Sequence, residues 1–321
     1  MSRIFASANI SYVKWDMNRI FSDIYSKKLD ADRQGEVLHR YVCGLYKVMK
    51  ALTEAFPNIL FEGCSSGGNR FDLGILCYFP QIWASDNTDA LCRSEIQNGY
   101  SYGYPLSTIG AHVSGSPNHQ TLRRTPIESR FNVAAFGCLG YECNISDMND
   151  DDKTAIAQQI KTYKTVRKTI QFGDFYRGEC ADNVKSWTVV SKDKEHAVGM
   201  VFVPRNIANG PLIYYRANGL ADDIKYHFTS RPLKLNVNVF GDLVNTMSPI
   251  HIKPDSMMHK VVSKVVKMET EKDDLYIYGD TLNNIGYLLK QNFSGSGYEN
   301  GMRVFTDYSS RMYFMDSQIK E

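Results

Sequence analysis

The chain has 321 residues, enough for two domains or one large barrel, with ordinary apolar content (43%) and many aromatics, 20 Tyr and 16 Phe. Its formal net charge is only +2 and no Lys/Arg block stands out, so the electrostatic footprint of a nucleic-acid or membrane-surface partner is missing. Seven cysteines without a CxxC pair exclude zinc-ribbon and thioredoxin-like motifs and read as free thiols in a reducing compartment. The N-terminal MSRIFASANISYVKWD has no signal-peptide core, and no apolar run is long enough to span a bilayer, so the sequence reads as soluble and cytoplasmic.

In chain order, residues 1–183 alternate short apolar runs with longer amphipathic ones. Ile10 to Trp15 reads as a strand. Val37 to Phe56 has apolar residues at helical spacing and stops at Pro57. Ile59 to Gly63 and Gln81 to Ala84 follow as strands, with Cys64 to Gly68 a loop and a helix from Thr88 to about Gly99. Thr108 to Val113, a helix over 124–136, Cys138 to Cys143 and a helix over 150–170 complete the series. Strand–helix alternation implies a parallel sheet with crossover helices, in which reactive polar residues sit at the C-terminal strand ends. The clusters KWDMN, CSSGG, SDNTD, HVSGS and ECNIS all fall there, and none resembles a phosphate or dinucleotide fingerprint. The expectation is an α/β plus β chain: five strands of a (β/α)8 TIM-type barrel, then an antiparallel β-sandwich of about seven strands over 184–321. The sandwich is read from Trp187–Val190, Ala197–Val203, Leu212–Tyr215, Leu235–Phe240, Leu275–Tyr278 and Met302–Phe305.

Two carboxylates on strand ends are what glycosidic cleavage needs, one to attack or stabilise the sugar and one to protonate the leaving oxygen. Asp16 is flanked by Lys14 and Asn18, a cation and an amide, which suits a nucleophile. Trp15 offers an apolar wall for a sugar, although pairing with Lys14 or Arg19 would give Asp16 a purely structural role. Of Asp86 and Asp89, one caps the helix that follows; Asp86, directly on the strand end, is favoured as acid/base. Cys64 to Arg70 lacks the Lys-Ser/Thr of a phosphate loop and reads instead as backbone shaped by Gly67 and Gly68, with Arg70 and Asp72 as an ion pair beneath it. Asp147 to Asp152 lacks the glycine and glutamate of a calcium loop and reads as an acidic helix start. His112 and His119 are too isolated to hold a metal, so no metal site is expected.

The segments YVKWDMNR, CSSGGNRFD and WASDNTDA resemble the signature motifs of the α-galactosidases of glycoside hydrolase family 36, the melibiase type. The resemblance continues through HVSGSPNHQTLRRTPIESRFNVAAFGCLGYE into FGDLVN and YIYGDTLNNIG, and so covers nearly the whole chain. It implies that Asp16 is the nucleophile and Asp86 the general acid/base, that Lys14, Asn18, Cys64 and Gly67 line a galactose subsite, and that Trp83 lies close to it. The implied reaction is retaining hydrolysis of terminal α-linked galactose from melibiose or raffinose-type oligosaccharides, with carboxyl groups roughly 5–5.5 Å apart and no cofactor. Transfer to a sugar acceptor and binding without turnover are the alternative outcomes. The resemblance is to the C-terminal half of such enzymes. It leaves out an N-terminal β domain, three β/α units, and the acidic pair, tryptophan and arginine that grip the sugar. The expectation is weak or no activity alone unless a second polypeptide completes the barrel; homo-oligomers, tetramers in the family, are also implied.

Overall fold

In the computed structural model, residues 1–18, 21–181, 184–246, 248–291 and 303–318 are described, so Arg19 and Met302 lie outside the described residues. The chain forms two compact units, one of residues 1–122 and 134–143, the other of 123–133 and 144–321.

The first unit is built on a parallel sheet. Its elements are α1 (Ser2–Ala6), β1 (Tyr12–Asp16), α2 (Val37–Ala55), β2 (Leu60–Cys64), α3 (Leu73–Leu76), β3 (Gln81–Trp83), α4 (Ala90–Tyr100) and β4 (Ile109–Ser114), then α5 (Ile127–Ala135), within which the division falls, and β5 (Cys138–Glu142). The sheet order is β1-β2-β3-β4-β5, and each neighbouring pair is parallel. This is the curled, partial TIM-type sheet that the alternation implied. Parallel register brings the strand C-termini to one edge: Asp16 lies opposite Cys64, Trp83 opposite Gly110 and Ser114 opposite Glu142.

One sheet face is closed by apolar packing. Phe61 and Phe79 stack at 5.2 Å and are 1% and 0% exposed, and burying rings of this size stabilises by roughly 1.5–3 kcal/mol each. The opposite face carries Lys14, Glu62 and Gln81, which are cross-strand neighbours. Helix α2 stops at Ala55, two residues before Pro57, which cannot continue it. Asp89 starts α4 by accepting from the backbone N–H groups of Leu91 (3.0 Å) and Cys92 (3.2 Å).

The second unit begins with α6 (Asp150–Phe172), capped by Asn149, which accepts from Asp152 N–H at 2.8 Å; the acidic run is a helix start, as expected. It continues with β6 (Asp174–Ala181), β7 (Val184–Val190), β8 (His196–Val203), β9 (Tyr214–Tyr215), β10 (Lys225–Ser230), β11 (Lys234–Asn236), α7 (Met257–Val265), β12 (Lys267–Glu269), β13 (Asp274–Tyr278), β14 (Tyr287–Leu288) and β15 (Ser309–Ser317). Six strands form one antiparallel sheet in the order β13-β10-β15-β8-β7-β6, and β11-β12 and β9-β14 form two-stranded sheets. Tyr215 of β9 packs on Tyr313 at 5.0 Å and hydrogen-bonds Thr188 Oγ1 at 2.8 Å, joining the small β9-β14 layer to the large sheet.

Several details differ from the sequence reading. Strand β6 lies before residue 183 yet is an edge strand of the second sheet. The strand expected over Leu235–Phe240 ends at Asn236, whose side chain accepts from Asn238 N–H (3.0 Å) and turns the chain into two short 3-10 pieces within Val237–Thr246, separated by a kink at Gly241. Residues 303–305 belong to no strand. Strands β6, β10, β12, β14 and β15 and helix α7 are not among the expected elements. Among the described residues no helix is long and apolar enough to cross a membrane.

Candidate active site

The candidate residues gather at the C-terminal edge of the parallel sheet. Strand β1 alternates sides, so Lys14 and Asp16 share one face while Val13 and Trp15 take the other. Trp15 therefore does not wall this site: its ring lies 6.1 Å from Phe79, on the face of the aromatic packing. The expectation for Trp15 is corrected by the pleat itself.

Asn18, just past the strand, donates Nδ2–H to Asp16 Oδ2 at 3.0 Å and accepts the Ser66 backbone N–H on Oδ1 at 2.6 Å. Ser65 Oγ donates to the Met17 carbonyl at 2.7 Å. The chain after β1 is thus tied to the loop after β2. That loop is tied in turn to the chain after β3. Gly67 has φ +80°, and a Cβ there would stand 2.7 Å from Ser85 Cα and 3.0 Å from Asp86 N. Only glycine allows both the left-handed backbone and the approach.

Cys64, opposite Asp16, is 4% exposed. Burial pushes its thiol up to about 11, and the neighbouring Asp16 acts in the same direction, against a backbone hydrogen bond from Gly67, so it is a neutral thiol at physiological pH.

Beyond β3, Asp86 is exposed and accepts from Trp83 Nε1–H at 3.0 Å. Asp89 is committed elsewhere: besides capping α4 it accepts from Thr121 Oγ1 at 2.9 Å and is 1% exposed. Asp72 likewise caps α3 and accepts from Tyr46 O–H at 3.1 Å, while Arg70 donates to the Cys64 carbonyl at 2.7 Å. The expected Arg70–Asp72 ion pair is replaced by two backbone contacts. Trp83 is 2% exposed, so it reaches the site through Asp86 rather than by offering its ring to a ligand.

A buried polar layer beneath these residues escaped the sequence reading. Glu62 is 1% exposed; its Oε2 accepts from Tyr12 O–H and, at 2.8 Å, from Gln81 Nε2–H, and its Oε1 lies 3.8 Å from Lys14 Nζ. Burial pushes its carboxyl up to about 7, against the hydrogen bond from Gln81 and the charge of Arg93. Lys14 Nζ and the Arg93 guanidinium each lie 4.5 Å from the Trp83 ring centre. Burial lowers Arg93 to about 10, which leaves it a cation at neutral pH. His112 packs on Trp83 with ring centres 4.3 Å apart and meets Glu142 Oε2 at 3.3 Å. The available signal was a lone charge, Glu62, inside the apolar run ILFEGC.

Comparison with known proteins agrees with this architecture. Residues 1–173 match the Melibiase family and residues 184–315 the glycosyl hydrolase family 36 C-terminal domain. Alpha-galactosidase 1 of Pediococcus pentosaceus is 48% identical over 228 residues, which are 70% of this chain and 31% of that protein. Alpha-galactosidase AgaA of Geobacillus stearothermophilus is 47% identical over 228 residues, again 70% and 31%. Among solved structures, the alpha-galactosidase from Lactobacillus brevis superposes with a TM-score of 0.79 at 35% identity, covering 100% of this chain and 37% of that one. A variant of AgaA in complex with raffinose gives 0.77 at 36% identity, covering 99% and 37%. The chain thus spans about a third of the length of these relatives. With both of its parts matched to the same family, the chain belongs to the melibiases of glycoside hydrolase family 36.

Proposed function

We propose that this chain carries the catalytic pair of a retaining α-galactosidase, with Asp16 as nucleophile and Asp86 as general acid/base. The observation that carries the reading is that two exposed carboxylates, at the end of β1 and just after β3, stand beside one loop, residues 65–68, to which Asp16 is linked through Asn18 and whose Gly67 packs on the backbone of Ser85 and Asp86. Of the other carboxylates near this edge, Asp72 and Asp89 serve as helix caps, Glu62 is buried and Glu142 is paired with His112.

In the first step an Asp16 oxygen bonds to the anomeric carbon as the glycosidic C–O bond breaks, and Asp86 gives its proton to the departing oxygen. In the second, Asp86 takes a proton from water, whose oxygen attacks the anomeric carbon, and the ester bond to Asp16 breaks. Lys14, Asn18, Cys64 and Gly67 form the floor of the sugar subsite. Cys64 as a neutral thiol and the Lys14 side-chain nitrogen both offer donors to sugar hydroxyls.

The substrate class is α-galactosides of the raffinose type, supported by the raffinose and stachyose complexes of AgaA variants. Because the chain spans 31% of its curated relatives, turnover belongs to the assembly in which the rest of a barrel accompanies it. The proposed domain boundary near residue 183 is supported by the two family matches, residues 1–173 and 184–315, with catalysis before it and a β domain after it, although β6, before it, pairs in the second sheet. Free thiols at 43, 64, 77, 92, 138 and 143 support a cytoplasmic setting. The exposure of both aspartates favours a second reading, sugar binding without turnover. An Asp16→Asn comparison separates the two: an enzyme loses raffinose hydrolysis, whereas a binder keeps both its galactose affinity and its lack of turnover. Products from raffinose as sole substrate distinguish hydrolysis from transfer.

A further inference from the structure

We propose that Trp83 is the positioning residue of the acid/base, holding Asp86 Oδ1 so that the transferable proton resides on Oδ2. The inference rests on the acid/base reading of Asp86 and goes further by assigning the atom.

Strand β3 ends at Trp83, so sheet pairing does not fix the orientation of the Asp86 carboxyl three residues later. The loop backbone is placed by the Asn87 N–H, which donates to Ser85 Oγ at 3.1 Å, and by Gly67 packed on Ser85 and Asp86. What orients the carboxyl group is the indole, whose Nε1–H donates to Oδ1 at 3.0 Å. An indole N–H is a donor only and has no lone pair to accept with. While that bond stands, Oδ1 is held as the acceptor, a part that a carbonyl oxygen fills better than a hydroxyl oxygen, so a proton carried by Asp86 is favoured on Oδ2. A carboxyl free to rotate would present its proton to the leaving oxygen only part of the time.

The ring is held accordingly. Trp83 is 2% exposed, with Lys14 Nζ and the Arg93 guanidinium each 4.5 Å from its ring centre and the His112 ring at 4.3 Å. Each of these has its own anchor. Lys14 lies 3.8 Å from Glu62, Arg93 donates to the Gly110 and Ser85 carbonyls, and His112 meets Glu142. Gly110, opposite Trp83 in register, keeps room for the ring, since a Cβ there would stand 3.3 Å from Trp83 Cε3. A buried, clamped donor beneath an exposed reacting carboxyl is an arrangement for orientation rather than for sugar contact.

The test is Trp83→Phe in the intact enzyme, with Asp86→Asn as control, assayed on raffinose and on α-galactosyl fluoride, whose leaving group needs no proton. With Trp83→Phe, kcat/KM on raffinose is expected to fall about tenfold or more, while kcat/KM on the fluoride, which reports only the ester-forming step, stays within about threefold. Equal losses of kcat/KM on both substrates, or no loss on raffinose, would overturn the positioning role. If Asp86→Asn itself leaves raffinose turnover intact, it is the acid/base reading that has failed. A readout that needs no kinetics is the indole N–H resonance of Trp83 in the intact enzyme, which should shift upfield and exchange faster with solvent in Asp86→Ala. An unmoved resonance would equally overturn the proposal.

Discussion

Asn18 holds Asp16 with one end of its amide and the loop after β2 with the other: Nδ2 donates to Asp16 Oδ2 at 3.0 Å, and Oδ1 accepts from Ser66 N–H at 2.6 Å. Asn18→Ala removes both bonds at once. The expected cost in stability is about 1 kcal/mol, because the groups are exposed and water replaces the lost partners. The expected cost in kcat/KM of the intact enzyme is about tenfold, because the proposed nucleophile loses its fixed orientation. Urea unfolding alongside steady-state kinetics checks both.

Asp86 and Asp89 divide the labour of a short segment, and the two should respond oppositely to substitution. Asp89→Ala deprives α4 of its cap and Thr121 of its partner, costing about 1–2 kcal/mol in thermal or urea unfolding. Asp86→Ala, at an exposed site, should cost less than about 1 kcal/mol yet lower kcat on raffinose by about 10²–10⁴.

Gly67→Ala forces a side chain into a backbone with φ +80° and within 2.7 Å of Ser85 Cα. Because the obstacle is backbone, the loop or the Ser85–Asp86 chain must move. A loss of about 1–3 kcal/mol is expected, together with turnover reduced well beyond what the stability change accounts for. Differential scanning calorimetry and activity at a temperature where the variant is fully folded separate the two effects.

Glu62 makes stability pH-dependent with a definite sign. Its folded carboxyl is raised to about 7 by burial, above the ordinary 4.5 of an exposed glutamate. The folded state therefore binds the proton more tightly, and the stabilisation is fully present below about pH 4.5 and lost as pH rises through about 7. The loss from this group is on the order of 3 kcal/mol at most. Glu62→Gln, which keeps the acceptor for Tyr12 and Gln81 without the charge, should flatten the urea-midpoint profile between pH 5 and 8 and raise stability at its upper end.

Much of the parallel-sheet half was legible because its strands are short apolar runs that each end in a polar cluster. The five expected strands agree with β1 to β5 to within two residues at each end. That Asp89 rather than Asp86 caps the helix was legible too, since capping chemistry depends only on position relative to the helix start. Trp15 was misplaced by proximity in sequence, although a period of two already sets residue 15 opposite 14 and 16. The Glu62–Arg93–His112–Glu142 layer could not be read, because it is assembled from four separate elements whose side chains meet only across the sheet. Strands β10 and β15 were missed because KYHFTS and SSRMYFMDS mix polar residues into faces that are buried: Ser230, Ser310 and Arg311 are 7%, 2% and 2% exposed. Helix α7 is short, and its signal, Ser256 capping at 3.1 Å, is local.

The central claim is that Asp16 is the nucleophile of a double displacement in which Asp86 is the acid/base. The most direct measurement is mass-spectrometric mapping of the intact enzyme after reaction with a slow fluorinated galactosyl fluoride that traps the glycosyl ester. The account predicts one sugar per active site, attached to the peptide containing Asp16, and none in Asp16→Asn. A label on any other residue, or raffinose hydrolysis by Asp16→Asn at the parent rate, would contradict it.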